Sequence, residues 1–141
     1  MKMNEVTLTK TVVLNAPRET VWTFLTDKDK LGTWFHPAEV NLSEGNDYTL
    51  TGTDSDGKTQ KMCWGTVLEM TPPEKLKYTF TVKPLGGVMT TVTWLLEELS
   101  GATKVTLLHE GLQDAGEASM GLLKALDAGW DEHLAKLREV A

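Results

Sequence analysis

The sequence predicts an α+β fold in which a curved six-stranded antiparallel sheet grips a long C-terminal helix, with two short helices between strands 1 and 2. Three observations carry this. Six segments alternate apolar and polar residues with the period of two that a strand with one wet face requires. Residues 117–141 switch to helical period. The strands after the first follow one another as hairpins, with the helices set apart from them, which is the order of an antiparallel sheet covered on one face.

Strand 1 covers residues 5–14, where Val6, Leu8 and Val12 alternate with Thr7, Thr9 and Thr11. The segment NAPRETVWTFLTD changes period. Pro17 suits the first helical position because its missing N–H costs nothing there, Glu19 is favourable in the first turn, and Val21, Phe24 and Leu25 share a face. A second short helix, KDKLGTWF, must end before Pro37, since a residue preceding proline avoids helical geometry. Asp56-Gly57 lies between two strand patterns and supplies the positive φ of a hairpin turn.

Pro72-Pro73 closes that hairpin's second arm. In EKLKYTFTV, Leu76, Tyr78 and Phe80 then oppose Lys77, Thr79 and Thr81, and Pro84 with Gly86-Gly87 ends the strand. The last two strands meet at a Ser-Gly turn, with Val92, Trp94 and Leu96 on one face of the first and Val105, Leu107 and His109 on one face of the second. In the final helix Met120, Leu123, Asp127, Trp130, Leu134 and Leu137 fall in one sector. Each buried side chain of this size is worth roughly 1.5–3 kcal/mol, against a few tenths for helix propensity, so this sector must face the sheet.

A chain of 141 residues is expected to form one domain, spanning residues 1–141. The formal net charge is −6 and no element carries a stripe of Lys or Arg, which argues against nucleic acid and anionic lipid as partners. The single cysteine, Cys63, has no internal disulfide partner and no company for a metal knuckle, and reads as a small strand residue in a reducing compartment. The first ten residues hold no continuous apolar stretch and no window approaches a membrane span of ~18 residues, so a cytoplasmic location without membrane insertion is expected.

The segments APRETVWTFLTDKDKLGTWF, GTVLEMTPPEKLKYTF, VTWLLEELSGATKVTLLHEGL and GWDEHLAKL fall in the order and approximate spacing of the START-like (SRPBCC, helix-grip) superfamily. Within it the chain resembles the branch of the C-terminal domain of the activator of heat-shock-protein-90 ATPase, over nearly its whole length. The resemblance implies an apolar cavity between the sheet and the long helix. It also implies a range of functions, because such proteins include binders of lipids, sterols and polyketide-like molecules, enzymes acting on such ligands, and a co-chaperone. No segment resembles the activator's N-terminal domain, so chaperone stimulation does not transfer on the resemblance alone. The Cys/His spacing of a Rieske centre is missing, which sets aside the ring-hydroxylating relatives.

No Ser/His/Asp order, glycine-rich phosphate loop or paired-carboxylate motif is recognisable, so no catalytic residue, cofactor or metal is assigned. His36 has Glu39 three residues on, but Pro37 interrupts regular helix and a metal would need a further ligand; a loop histidine at the cavity mouth is expected. His133 is expected at the surface or rim. His109 points to the side of Leu107 and Val105, where burial keeps an imidazole neutral; it either closes a hydrogen bond at the cavity's end or meets a ligand.

Trp34, Phe35, Tyr78, Phe80, Trp94 and Trp130 are placed to converge on one interior, each individually reading as core filler. Together with Leu107, His109, Met120 and Leu123 they form the expected binding set for a small, largely apolar molecule. Trp64 fits either face, since a bulge near Gly65 would switch the frame. Two alternatives stand beside this reading: a protein-interaction module with a chaperone as partner, and an enzyme acting on a bound polyketide-like or cyclic substrate with His109 as its only named base.

Overall fold

A computed structural model describes residues 7–82, 88–112 and 119–141. Its elements are β1 (Thr7–Leu14), α1 (Arg18–Thr26), α2 (Lys28–Trp34), β2 (Asp47–Thr53), β3 (Thr59–Thr71), β4 (Lys75–Val82), β5 (Thr90–Leu99), β6 (Ala102–Glu110) and α3 (Ser119–Val140). They form a six-stranded antiparallel sheet in the order β1-β6-β5-β4-β3-β2, curved as predicted, with α3 as the C-terminal helix. Glu5, Val6, Pro84, Gly86 and Gly87, used above to bound two strands, lie outside the described residues, as does Glu117.

Helix α1 starts a residue later than the sequence suggests, whereas α2 starts at Lys28 as expected. Pro17 is the N-cap of α1, not its first helical residue, and its carbonyl accepts from the Thr20 and Val21 amides. Asp27 separates α1 from α2 by taking the extended conformation and accepting the Asp29 and Lys30 amides on its carboxylate. In the β2–β3 loop only Gly57 has positive φ, and the Asp54 carboxylate accepts from the Asp56 and Lys58 amides, so the connection is longer than a two-residue turn. The β5–β6 turn is two residues, Ser100 and Gly101, both at positive φ, as a tight hairpin demands.

The alternation puts Leu76, Tyr78, Phe80, Val92, Trp94, Leu96, Val105, Leu107 and His109 on the inner face, all buried. Cross-strand register stacks these rows, with Val92 opposite both Tyr78 and His109, and Trp94 opposite both Leu76 and Leu107. Two bulges bend β3. Met62 is skipped in pairing with β2 and Leu68 in pairing with β4. Cys63, Gly65 and Val67 point inward, which leaves Trp64 on the outer face with the Lys61 ammonium 4.6 Å over its ring.

Lys10 shares the inward row of edge strand β1 with Leu8, Val12 and buried Leu14. Its ammonium bridges to Asp127 and Asp131 on α3, the latter at 2.9 Å, and these bonds raise its pKa. Asp127 thus interrupts the apolar sector of α3 because a lysine faces it. An inward charge on an edge strand also discourages pairing with another chain. Because both carboxylates are more than half exposed, Lys10→Ala is expected to cost only about 0.5–1 kcal/mol in urea unfolding at low salt, shrinking as salt is added.

Candidate functional site

The aromatic side chains converge, and they fill the centre of the molecule. Trp34, Phe80, Trp94 and Trp130 are each at most 2% exposed. Trp94 meets Trp34 and Trp130 edge to face, both at 5.8 Å, and Phe80 lies 5.8 Å from Trp130. Their polar edges are paired: the Trp34 indole donates to the Phe24 carbonyl at 2.8 Å, and the Trp94 indole to the Tyr78 hydroxyl at 2.9 Å. Leu107 is fully buried beneath them.

His109 is buried in this cluster with both ring nitrogens engaged. An indole only donates, so the Trp130 Nε1–H, 3.0 Å away, requires an acceptor at Nδ1. The Thr90 hydroxyl donates to the Phe80 carbonyl at 2.6 Å and so accepts from the His109 Nε2–H at 2.7 Å. The relay fixes the neutral Nε2–H tautomer. Burial pushes the imidazole's pKa down to about 4.

At one end of the cluster a pocket of about 100 Å³ remains between the end of α2, strands β3 and β4, and α3. Phe35, Phe80 and Trp130 form its aromatic walls, with His36 and His133 at one side and Cys63, Val82, Ala125, Leu126 and Gly129 among the rest of its lining. Of the residues expected to touch a ligand, Phe35, Phe80 and Trp130 line this pocket. Trp34, Tyr78, Trp94, Leu107 and His109 are packed outside its lining; Leu123 is half-buried on α3, and the Met120 side chain lies outside the described residues. A larger hollow of about 440 Å³ runs between β1 and the C-terminal half of α3, but Lys10, Asp131, Arg138 and Glu139 make it a charge-rimmed surface groove.

The sequence reading left His36, His133 and Cys63 outside the binding set. His133 follows Trp130 by three residues and therefore shares its helix face, a signal available from spacing alone. His36 is aimed by non-local bonds, since the Pro37 carbonyl accepts the Thr51 amide at 2.8 Å and the Ala38 amide donates to the Lys28 carbonyl at 3.1 Å. The two imidazoles are 5.6 Å apart, centre to centre, each against the Phe35 ring at 4.8 and 4.7 Å.

Burial first, then His133 and Lys136, hold the His36 pKa below its usual value. Burial also lowers that of His133, aided by Lys136 and opposed by its bond to the Trp34 carbonyl and by Glu132. Burial pushes the Cys63 thiol up to about 12, so it is protonated and inert at neutral pH. Among the described residues no group of three His, Cys, Asp or Glu is placed to hold a metal, and no helix is long and apolar enough to cross a membrane.

A curved antiparallel sheet wrapped on a C-terminal helix, with two short helices after the first strand, defines a START-like, helix-grip protein. The chain belongs to the Activator of Hsp90 ATPase homolog 1-like protein family, whose model matches residues 15–141. Solved structures with this fold include CalU16 from Micromonospora echinospora, at 23% identity and TM-score 0.74, over 94% of this chain and 74% of that one. PFC0360w, an HSP90 activator from Plasmodium falciparum, is 22% identical with TM-score 0.75 over 95% of this chain and 94% of its own. CV1439 from Chromobacterium violaceum is 24% identical with TM-score 0.74, over 96% and 97% respectively. No curated protein matches the sequence significantly.

Proposed function

We propose that this protein binds a small, largely apolar molecule in the pocket between α2, β3, β4 and α3. The supporting observation is that the otherwise closed aromatic core leaves about 100 Å³ open against Phe35, Phe80 and Trp130. A dry cavity of ~150 Å³ holds benzene, so the guest is a single ring or a short chain. Removing about 150 Å² of its apolar surface from water is worth ~4 kcal/mol, roughly millimolar affinity, and polar contacts at His36 and His133 would have to add the rest.

Gly129 allows a direct test. It lines the pocket, and a Cβ there would meet nothing within 4 Å. Gly129→Ala should stabilise α3 by about 0.5–1 kcal/mol. Gly129→Leu should fill the pocket and weaken binding of one-ring probes, followed by Trp fluorescence, at least about tenfold, since it replaces the guest's own contacts. Equal affinity in wild type and Gly129→Leu would remove the pocket as the site.

Family membership favours a second reading, a chaperone-associated interaction module. A stoichiometric complex with a heat-shock-protein-90 chaperone, and a rise in that chaperone's ATPase rate on adding this protein, would support it; neither would appear if ligand binding is the sole role. An enzymatic role would need a group free to exchange protons with a guest, and His109 is not free in this sense.

A further inference from the structure

We infer that the pocket's guest carries a carboxylate, held between His36 and His133, with its apolar part against Phe35, Phe80 and Trp130. This rests on the pocket being a ligand site and goes beyond that reading by naming the chemical class it takes.

The argument begins with the free ring nitrogens. His133 Nδ1 lies 3.2 Å from the Trp34 carbonyl, which only accepts, so Nδ1 carries the hydrogen and Nε2 is left without a protein partner among the described residues. His36 makes no hydrogen bond to a described residue, although its loop is tied down on both sides by backbone bonds. Two half-buried imidazoles are therefore held at fixed positions, 5.6 Å apart centre to centre and both against Phe35, with nitrogens to spare. Leaving such groups unpaired under a bound apolar guest costs free energy, whereas a head group that bonds to both removes the cost.

The charges around the pair choose the head group. The charge of Lys136 on α3 acts on both rings and that of Glu132 on His133 alone, and among the described residues lining the pocket the sheet side offers one titratable group, the neutral Cys63 thiol. Among the described residues no carboxylate lines the pocket. A cation would be repelled by Lys136, with Glu132 offsetting it on the His133 side alone, and a neutral guest would leave the imidazoles uncharged. An anion meets two groups that acquire charge when it arrives. Two nitrogens without a third ligand among the described residues do not make a metal site.

Proton uptake follows. In the free protein both imidazoles titrate below their usual value and are neutral at pH 7. A bound carboxylate raises them, so its affinity rises as pH falls through the interval between bound and free values, and levels off below it.

The test titrates wild-type protein with benzoate, benzyl alcohol and benzylamine by Trp fluorescence and calorimetry, the latter in buffers of differing ionisation enthalpy to count protons. Benzoate is expected to tighten at least about tenfold between about pH 8 and pH 5.5 with proton uptake, while benzyl alcohol shows neither. His133→Asn keeps an amide donor near the Trp34 carbonyl but loses the titrating nitrogen, and with His36→Asn it should flatten the benzoate profile. If benzyl alcohol binds and benzoate binds no better at low pH, the acid assignment is overturned and the pocket reading stands. If no probe binds at any pH, both fall. Histidine side-chain NMR of the wild type provides the same decision without any variant, because benzoate must move the His36 and His133 titrations upward.

Discussion

His109→Ala is expected to lower the unfolding free energy by about 3–5 kcal/mol at pH 7, combining an unpaired buried indole N–H with the space left by the ring. The Trp130 indole loses its acceptor and the Thr90 hydroxyl loses its donor, both in a site closed to water. His109→Gln offers one oxygen and one N–H and should recover part of the loss. The same relay makes the wild type acid-sensitive. Burial disfavours the charged ring, so the folded protein resists the proton down to about pH 4, and protonating Nδ1 would in addition turn it against the Trp130 N–H. The unfolded chain accepts it from about pH 6.5. Between those values the unfolded state binds more protons, and stability contributed by the neutral ring falls by up to about 3 kcal/mol as pH drops, then stays flat. Urea unfolding at several pH values should therefore show the gap between wild type and His109→Gln narrowing from pH 7 to pH 4. A gap independent of pH would show that the ring is not held neutral.

The fold was legible because its inner rows are nearly continuous: nine alternating positions on β4, β5 and β6 are buried as the period requires. Ser100-Gly101 marks its own turn for the same local reason. What the sequence does not mark is a bulge, since skipping Met62 or Leu68 leaves plausible alternation on both sides, and only pairing with β2 and β4 shows that Trp64 faces outward. Lys10 is hidden for a related reason. Its neutralising partners lie 117 and 121 positions away, beyond any local pattern. Convergence of the aromatic rings could be predicted, but their depth could not, because it is fixed by indole bonds to Phe24, Tyr78 and His109. The pocket consequently lies beside the predicted centre, where Phe35 stops short and His36 and His133 begin.

Gly65→Ala is expected to cost more than about 3 kcal/mol, or to abolish folding, although it adds one methyl group. Trp64 pairs with Thr81 and Val67 with Tyr78, but between them the β3–β4 ladder is rerouted. The Thr66 amide donates to the Thr79 hydroxyl at 2.8 Å, and the Tyr48 hydroxyl, from the residue opposite Gly65 on β2, donates to the Thr79 carbonyl at 2.6 Å. These bonds draw β4 so close that a Cβ on Gly65 would lie 2.0 Å from the Thr79 carbonyl oxygen. That atom is backbone and cannot rotate away, so one strand must shift and both bonds must stretch. Gly129→Ala, with open space around its Cβ, gives the contrast of the same change with opposite sign. A Gly65→Ala loss under about 1 kcal/mol would mean the strands are not in this contact. The crossing also sets where Cys63 and Val82 stand, paired two residues before Gly65. A variant that folds with β3 displaced should therefore bind one-ring probes poorly, even though every residue lining the pocket is unchanged.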